Sequence, residues 1–284
     1  MMSWWDKVKS ASVKTAGILA LFISLLCLGF LLWDVFSKGW NTLSWDFLFR
    51  IPSRRPEEAG IKPAILGTLW VMTMTTILAV PAGILTGIYL EEYAQPNWFT
   101  KFIRINIANL AGVPSVVYGM LGLAVFVRTM GLGRSVLAGA MTMGLLILPT
   151  IIIATSEALK AVPDSIRFGA YGVGASRRQV IWYHVLPEAL PGILTGIILS
   201  LSRAIGESSP LILIGALSFV TFAPQNLLDG FTVLAIQIFN WAGRPQEEFH
   251  HIAASAIIVL LIVTLSLNTL AIFLRTRMSR RKEG

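Results

Sequence analysis

Charge is scarce in this chain: Asp, Glu, Lys and Arg together make up 13% of its 284 residues, against 55% hydrophobic ones. A water-soluble domain carries roughly 25% charged residues, so the deficit excludes an ordinary soluble fold and points to a bilayer. Cysteine is nearly missing. The one thiol, Cys27, sits in an apolar run and has no partner for a disulfide, a thiolate metal site or a redox pair. The histidines are His184, His250 and His251, and no pair combines zinc-ligand spacing with a third ligand, so no metal is assigned. The chain also lacks a Gly-x-x-x-x-Gly-Lys-[Ser/Thr] phosphate cradle, which excludes ATP hydrolysis by that route. No Ser/His pair, paired acids or metal cluster falls at membrane depth, which argues against an intramembrane enzyme.

Long apolar runs are what the sequence has instead. A spanning helix needs roughly 20 mostly apolar residues, and residues 63–90, 105–127, 135–156 and 252–274 meet that length without a charge. Residues 15–33 form a fifth run behind Lys7, Lys9 and Lys14, and with no small-residue cleavage site after it we expect a retained helix. A sixth, about 188–215, opens on Glu188 and is otherwise apolar except for Arg203 and Glu207 in its middle. The expected fold is therefore all-α, with about six transmembrane helices.

Six spans put both termini on one side. Placing that side in the cytoplasm gives it Lys7, Lys9, Lys14, Lys101, Arg104, Lys160, Arg167, Arg177, Arg178, Arg275, Arg277, Arg280, Arg281 and Lys282. The opposite side receives the smaller set Lys38, Arg50, Arg54, Arg55, Lys62, Arg128, Arg134 and Arg244. The asymmetry favours cytoplasmic termini and absorbs much of the net charge of +8, so no nucleic-acid partner is invoked. Residues 34–62, with Trp40 and Trp45, read as an outer linker with interface aromatics, and residues 230–243 are apolar but too short to cross, as a re-entrant or interfacial helix would be, with Trp241 at the boundary.

The hexapeptide Gly-Ile-Leu-Thr-Gly-Ile occurs at residues 83–88 and 192–197. Its flanks do not continue the similarity, so we read two closely packed helix faces and not an internal repeat. Pro81, Pro114 and Pro149 predict kinks. Asn106, Asn109 and Asn268 are assigned to hydrogen bonding between helices.

Residues 157–187 form a charged, glycine-bearing connection, longer than a compact bundle needs unless it is functional. Two short helices are expected there. Pro163 opens the first, Gly172 and Gly174 permit a bend, Ser176 caps the second, and Pro187 limits it before the next span. Arg203 and Glu207, four apart on one expected helix, share a face and can pair. The pair reads either as a buried structural ion pair or as a substrate-path feature facing an aqueous cavity.

Val162-Pro163, Arg167, Gly174-Ala175-Ser176, Gln179 and Leu186-Pro187 resemble the "EAA" coupling loop of ABC importer permeases, which docks on the ATPase. Further matches are Gly67-Thr68-Leu69, Tyr89-Leu90-Glu91-Glu92-Tyr93, Leu110-Ala111-Gly112-Val113-Pro114-Ser115, Leu148-Pro149 and the stretch from Pro191 to Glu207. Together they are similar to the phosphate-specific permeases of PstA type. Phe168 departs from the pattern, standing where the family usually has glutamate.

The resemblance implies a type I ABC importer permease core at residues 63–275, preceded by a transmembrane helix and outer linker at 1–62 and followed by a basic tail at 276–284. It implies ATPase coupling through Val162, Pro163, Arg167, Gly172, Gly174, Ala175, Ser176, Gln179, Leu186 and Pro187, and a substrate path at Arg203, Glu207 and Ser208. The implied partners are a second permease subunit of PstC type, an ATPase dimer of PstB type that carries the ATP and Mg, a phosphate-binding protein of PstS type, and membrane lipid. This chain is expected to bind no cofactor, and its location is expected to be a prokaryotic inner (plasma) membrane. Sulfate or molybdate as cargo is the first alternative, and an ion-coupled secondary transporter the second.

Overall fold

The computed structural model describes residues 4–216 and 220–280; Arg281 and Lys282 of the expected basic tail lie outside them, and Lys7, Lys9, Arg275, Arg277 and Arg280 are described by backbone alone. Every regular element among the described residues is helical. In chain order these are α1 (Trp4–Gly39), α2 (Trp45–Phe49), α3 (Lys62–Ile88), α4 (Trp98–Ala111), α5 (Ser115–Gly122) and α6 (Val136–Lys160). They continue as α7 (Asp164–Gly172), α8 (Arg177–Gln179), α9 (Leu186–Ile205), α10 (Ser209–Ile214), α11 (Leu234–Ala242) and α12 (Glu247–Arg280). Wider π turns extend α3 over Tyr89–Tyr93 and α5 over Leu123–Thr129, and Val180–Val185 joins α8 to α9.

Among the described residues, five helices are long and apolar enough to cross a membrane: Val13–Gly39, Lys62–Tyr93, Val136–Lys160, Arg177–Ile205 and Glu247–Thr269. A bent pair, Trp98–Ala111 and Ser115–Thr129, makes a sixth crossing if taken as one span. Here the kink expected at Pro114 appears as a sharp break in the 105–127 run. The two halves meet at 102°, because Gly112 caps α4 and Pro114, at ψ 137°, starts α5 in a new direction. Pro81 and Pro149, by contrast, lie inside unbroken α3 and α6.

The bundle is built around α6, whose Val136, Ala138, Ala140, Met143 and Ile151 are fully enclosed. Both copies of the glycine-rich hexapeptide pack on it. A Cβ on Gly83 would stand 2.5 Å from Ile151 and one on Gly87 2.7 Å from Thr155, while Cβ atoms on Gly192 and Gly196 would stand 2.9 and 2.2 Å from Ala158 and Ala154. The missing side chains let α3 and α9 close tightly on neighbouring faces of the same stretch of α6, residues 151–158. The N–H groups that open α6 find partners outside the helix: Val136 N donates to Asp229 O at 3.0 Å and Leu137 N to Leu227 O at 2.9 Å.

The 230–243 segment is not an interfacial helix. It folds inward as α11, burying Trp241 at 1% exposure against Phe47, so Trp241 is a core residue and not a membrane-boundary anchor. Gly67 and Thr68 hold its entry. A Cβ on Gly67 would meet Thr232 O at 2.0 Å, and Thr68 Oγ1 accepts from Leu234 N at 2.9 Å. α1 is tied at its C-terminal end, where Ser255 Oγ donates to Gly39 O at 2.7 Å; its apolar run buries nothing within the chain. Asn268 bridges α12 to α9 by accepting from Ser202, whereas Asn106 bonds its own helix through Phe102 O at 2.8 Å.

Gly196→Ala tests the central contact. The new methyl overpacks α9 against Ala154, at a cost of about 1–3 kcal/mol that exceeds the roughly 1 kcal/mol alanine gains in helix propensity. Thermal unfolding in detergent should shift down for Gly196→Ala and not for Gly17→Ala, whose new methyl would have nothing within 4 Å.

Candidate functional site

Residues 157–187 fold as a helical turn at one end of the bundle. α7 opens after Pro163, with Asp164 in the first turn where the helix dipole favours a carboxylate. The chain then reverses at Gly174, whose φ of +86° is open to glycine and strained for other residues. Gly172 simply ends α7 with ordinary dihedrals, so the bend rests on Gly174 alone. Gly174 N and Ala175 N return to Tyr171 O and Ala170 O at 2.9 and 3.1 Å. Ser176 and Gln179 form a full capping box that starts α8.

Pro187 does not end this helix. The chain runs as one helix from Arg177 to Ile205. Leu186 N donates five residues back to Ile181 O, and this wider turn shifts the ladder just before the proline ring needs room. Leu186 and Pro187 therefore mark where the turn feeds directly into the spanning helix.

Three arginines grip the π turn that ends α3. Arg167 donates to Val162 O at 2.7 Å, Leu159 O at 2.9 Å and Glu92 Oε1 at 2.8 Å, with Asp164 Oδ1 at 3.4 Å. The Arg167 and Glu92 side chains keep only 17% and 11% of their exposure. Arg177 donates to Glu92 O and lies 5.2 Å from the centroid of the Tyr93 ring. Arg104 of α4 donates to Glu91 Oε2 at 2.9 Å and to Leu90 O. A cavity of about 280 Å³ lies among Glu91, Glu92, Lys160, Asp164 and Arg167.

The other side of the turn is apolar and faces outward. Phe168 is 70% exposed and Val173 85%, with Tyr171 exposed beside them in sequence. Val162 is buried beneath, and Ala175 is half-buried. The turn is thus held by its charges and presents its hydrocarbon.

Arg203, Glu207 and Ser208 mark the second feature, and here the expected pairing fails. α9 stops at Ile205 with Gly206 as its cap, so Glu207 lies beyond the helix and does not share a face with Arg203. Glu207 Oε1 instead accepts from Ser115 Oγ at 3.0 Å. That bond joins two helix interruptions, the one before α5 and the one before α10. Close packing supports it, since a Cβ on Gly119 would stand 2.7 Å from Pro210 Cα. Arg203 is exposed on α9, and Ser208 is half-buried at the start of α10 without a side-chain cap bond. No group of three or more His, Cys, Asp or Glu among the described residues is placed to hold a metal.

Sequence reasoning missed Glu91, Glu92, Arg104 and Ser115 as partners of these features. Two adjacent glutamates ending an apolar run were visible, yet Glu92 and Arg167 lie 75 residues apart and nothing in the sequence pairs them.

Comparison with known proteins agrees with this architecture. The sequence pattern of the family described as "Binding-protein-dependent transport system inner membrane component" matches residues 79–284. The chain is 31% identical to the phosphate transport system permease protein PstA of Pasteurella multocida, over 93% of this chain and 94% of that protein. It is 29% identical to phosphate transport system permease protein PstA 1 of Mycobacterium tuberculosis, over 97% of this chain and 91% of that one. Its fold is similar to a chain in the crystal structure of a bacterial ABC transporter involved in the import of the acidic polysaccharide alginate, with a TM-score of 0.66, 18% identity, and coverage of 96% and 98%. The family match, the relatives and the shared fold together show that this chain belongs to the family of binding-protein-dependent transport system inner membrane components.

Proposed function

We propose that this chain is a permease subunit of an ATP-driven phosphate importer, supplying half of the translocation path and receiving mechanical work from a separate ATPase through the turn at residues 157–187. The observation that carries the proposal is the two-sidedness of that turn: its arginines bind it to α3 while Phe168, Tyr171 and Val173 project from the bundle. An exposed apolar turn at a helix reversal suits insertion into a cleft of another protein. Phosphate as cargo rests on the near full-length likeness to the two permeases named above.

In this reading the ATPase is a dimer of PstB type that binds the ATP and Mg, and this chain holds no cofactor. A second permease subunit of PstC type completes the path, and an outer binding protein of PstS type delivers the ion. Both termini and the coupling turn lie in the cytoplasm, with the 34–62 segment outside, its first residues continuing α1 to Gly39 and its last opening α3. Arg203 attracts the oxyanion, for which a guanidinium fork offers two-point contact. Ser208 adds a hydroxyl at the interruption, and Glu207 holds the two interruptions together through Ser115. Broken spans are where transporters place polar backbone near cargo. Alternating access follows when ATP-driven closure of the ATPases shifts the population of the permease between two states.

The cargo test uses the complex assembled with its partner subunits in proteoliposomes, comparing phosphate with sulfate. Phosphate should stimulate hydrolysis and be taken up, and sulfate should not. Bonds to a charged group contribute about 1.5–3 kcal/mol, so Arg203→Gln should cut phosphate uptake roughly 10- to 100-fold at normal complex yield. Arg203→Lys, which keeps the charge and loses the fork, should fall between. Uptake unchanged in both variants would remove Arg203 from the path.

The coupling turn predicts a different phenotype. Gly174→Val forces a β-branched residue into left-handed backbone at a cost of about 1–2 kcal/mol, displacing the Phe168 face. Membrane insertion should be normal and uptake per ATP hydrolysed should drop; normal coupling would exclude the turn from the mechanism. Orientation is tested by an impermeant thiol reagent on Arg55→Cys in a Cys27→Ser background. Arg55 is well exposed, and labelling should proceed from outside intact cells; labelling restricted to inverted vesicles would reverse the topology.

A further inference from the structure

The coupling turn must do more than dock, because motion it receives reaches the cargo path only if something fixes it to the spanning helices. Covalently it continues α6 and leads into α9, but the chain gives it no bond to α3. Side chains make that bond. Glu92, on the π turn at the end of α3, receives Arg167 of α7 at 2.8 Å on its carboxylate and Arg177 of α8 on its carbonyl, while Tyr93 lies under the Arg177 guanidinium. From the other side Arg104 of α4 takes the preceding Glu91 and Leu90 O. One stretch of four residues, Leu90 to Tyr93, thus receives arginines from three helices: α4, the next along the chain, and α7 and α8, which are distant in sequence.

Two physical points make this a mechanical joint and not a surface ornament. First, the Arg167 and Glu92 side chains are mostly buried, so removing one leaves the other as a largely desolvated charge without its closest partner. The other carboxylate near Arg167, Asp164, is 76% exposed and at 3.4 Å, a weaker substitute. Second, the π turn offers wider helical backbone whose carbonyls at Leu90 and Glu92 are available to arginine donors. α3 also packs on α6 through Gly83 and Gly87, so a displacement imposed at Glu92 is passed along a helix with no slack at its central contact.

We propose that Glu92 is a positioning residue for transport: its ion pair with Arg167 makes α7 and the end of α3 move as one body, and Glu91 with Arg104 extends that body to α4. The proposal rests on the transport reading above and deepens it, by naming the element that carries the ATPase stroke away from the docking turn. Docking itself belongs to the opposite, apolar face and does not need Glu92.

The experiment uses the assembled complex in proteoliposomes, with ATP hydrolysis and phosphate uptake measured on the same preparation. Glu92→Ala should leave complex yield and hydrolysis near wild type and lower uptake per ATP about tenfold, inside the 5- to 150-fold span of coupling energies between sites. Glu92→Gln, which keeps an acceptor and loses the charge, should fall between; it also carries the test if the alanine variant fails to assemble. Uptake per ATP unchanged in Glu92→Gln and Glu92→Ala overturns the proposal. Rescue separates a joint from mere folding support. Glu92→Cys with Arg167→Cys in a Cys27→Ser background should be uncoupled as free thiols and regain coupling when bridged by a bifunctional thiol reagent. Failure of the bridged form to regain coupling, at normal complex yield, counts equally against it.

A second readout is independent of the cargo. Nitroxide labels at Tyr89→Cys and Ser165→Cys, both exposed positions, should keep one separation through ATP binding with Glu92 present and change separation in Glu92→Ala. Separation that changes equally in both shows that α3 and α7 are not joined by Glu92. Wild-type complex that takes up no phosphate would sink the phosphate reading, and the label distances would still decide the role of Glu92.

Discussion

Everything in this bundle hangs on how closely α3 and α9 approach α6. Four glycines, Gly83 and Gly87 on one helix and Gly192 and Gly196 on the other, remove the side chains that would hold the backbones apart. In lipid the hydrophobic effect does not drive helices together, so close van der Waals packing between small residues must do so. The three helices so joined are the ones that meet the 157–187 turn: α6 enters it, α9 leaves it through a continuous helix, and α3 is held to it by Glu92. The same contacts that stabilise the fold therefore tie the turn to three spanning helices.

Polar groups follow the cost of placing them in hydrocarbon. The closest ion pairs between different helices, Arg167 with Glu92 and Arg104 with Glu91, gather at one end of the bundle. Where the backbone breaks within the apolar region, its groups are given partners or packed tightly. Asp229 and Leu227 carbonyls receive the first N–H groups of α6, Thr68 receives Leu234 N, and Glu207 receives the Ser115 hydroxyl across two interruptions. Backbone left unsatisfied in a bilayer costs several kcal/mol per group, which explains why the interruptions come in adjoining pairs. Arg203 stands apart from this economy. Among the described residues it forms no ion pair with a carboxylate, and it is exposed on α9.

The apolar face of the turn differs in kind. Phe168, Tyr171 and Val173 put exposed hydrocarbon on its outward side. Apolar burial is less directional than a charge-assisted hydrogen bond, so in the proposed coupling role docking through this face depends on fit. Orientation is then supplied from behind by the arginines, whose bonds are directional. The division places specificity of direction inside the chain and adhesion at its surface.

Much of this was legible in the residues. Apolar runs identified the membrane class and the spanning helices, because hydrocarbon thickness fixes their length. Ser176 with Gln179, Pro163 and Gly174 specified the helical turn, because capping, helix entry and left-handed backbone are local demands on local residue types. The twin glycine hexapeptides announced tight packing, though not that both would meet α6. What the sequence could not decide were the contacts between distant segments. Spacing placed Arg203 and Glu207 on one helix, while α9 ends at Gly206, ahead of Pro210, and Glu207 meets Ser115 across the contact of α5 with α10. Composition placed Trp241 at a membrane boundary, while the inward fold of α11 buried it on Phe47. Composition gave no sign that Glu92 belongs to Arg167. Periodicity, capping and proline breaks act over a few residues and so were determined by the sequence alone, whereas the partner of Glu207, the buried aromatic and the arginine joint were decided by which helices the tertiary structure brought together.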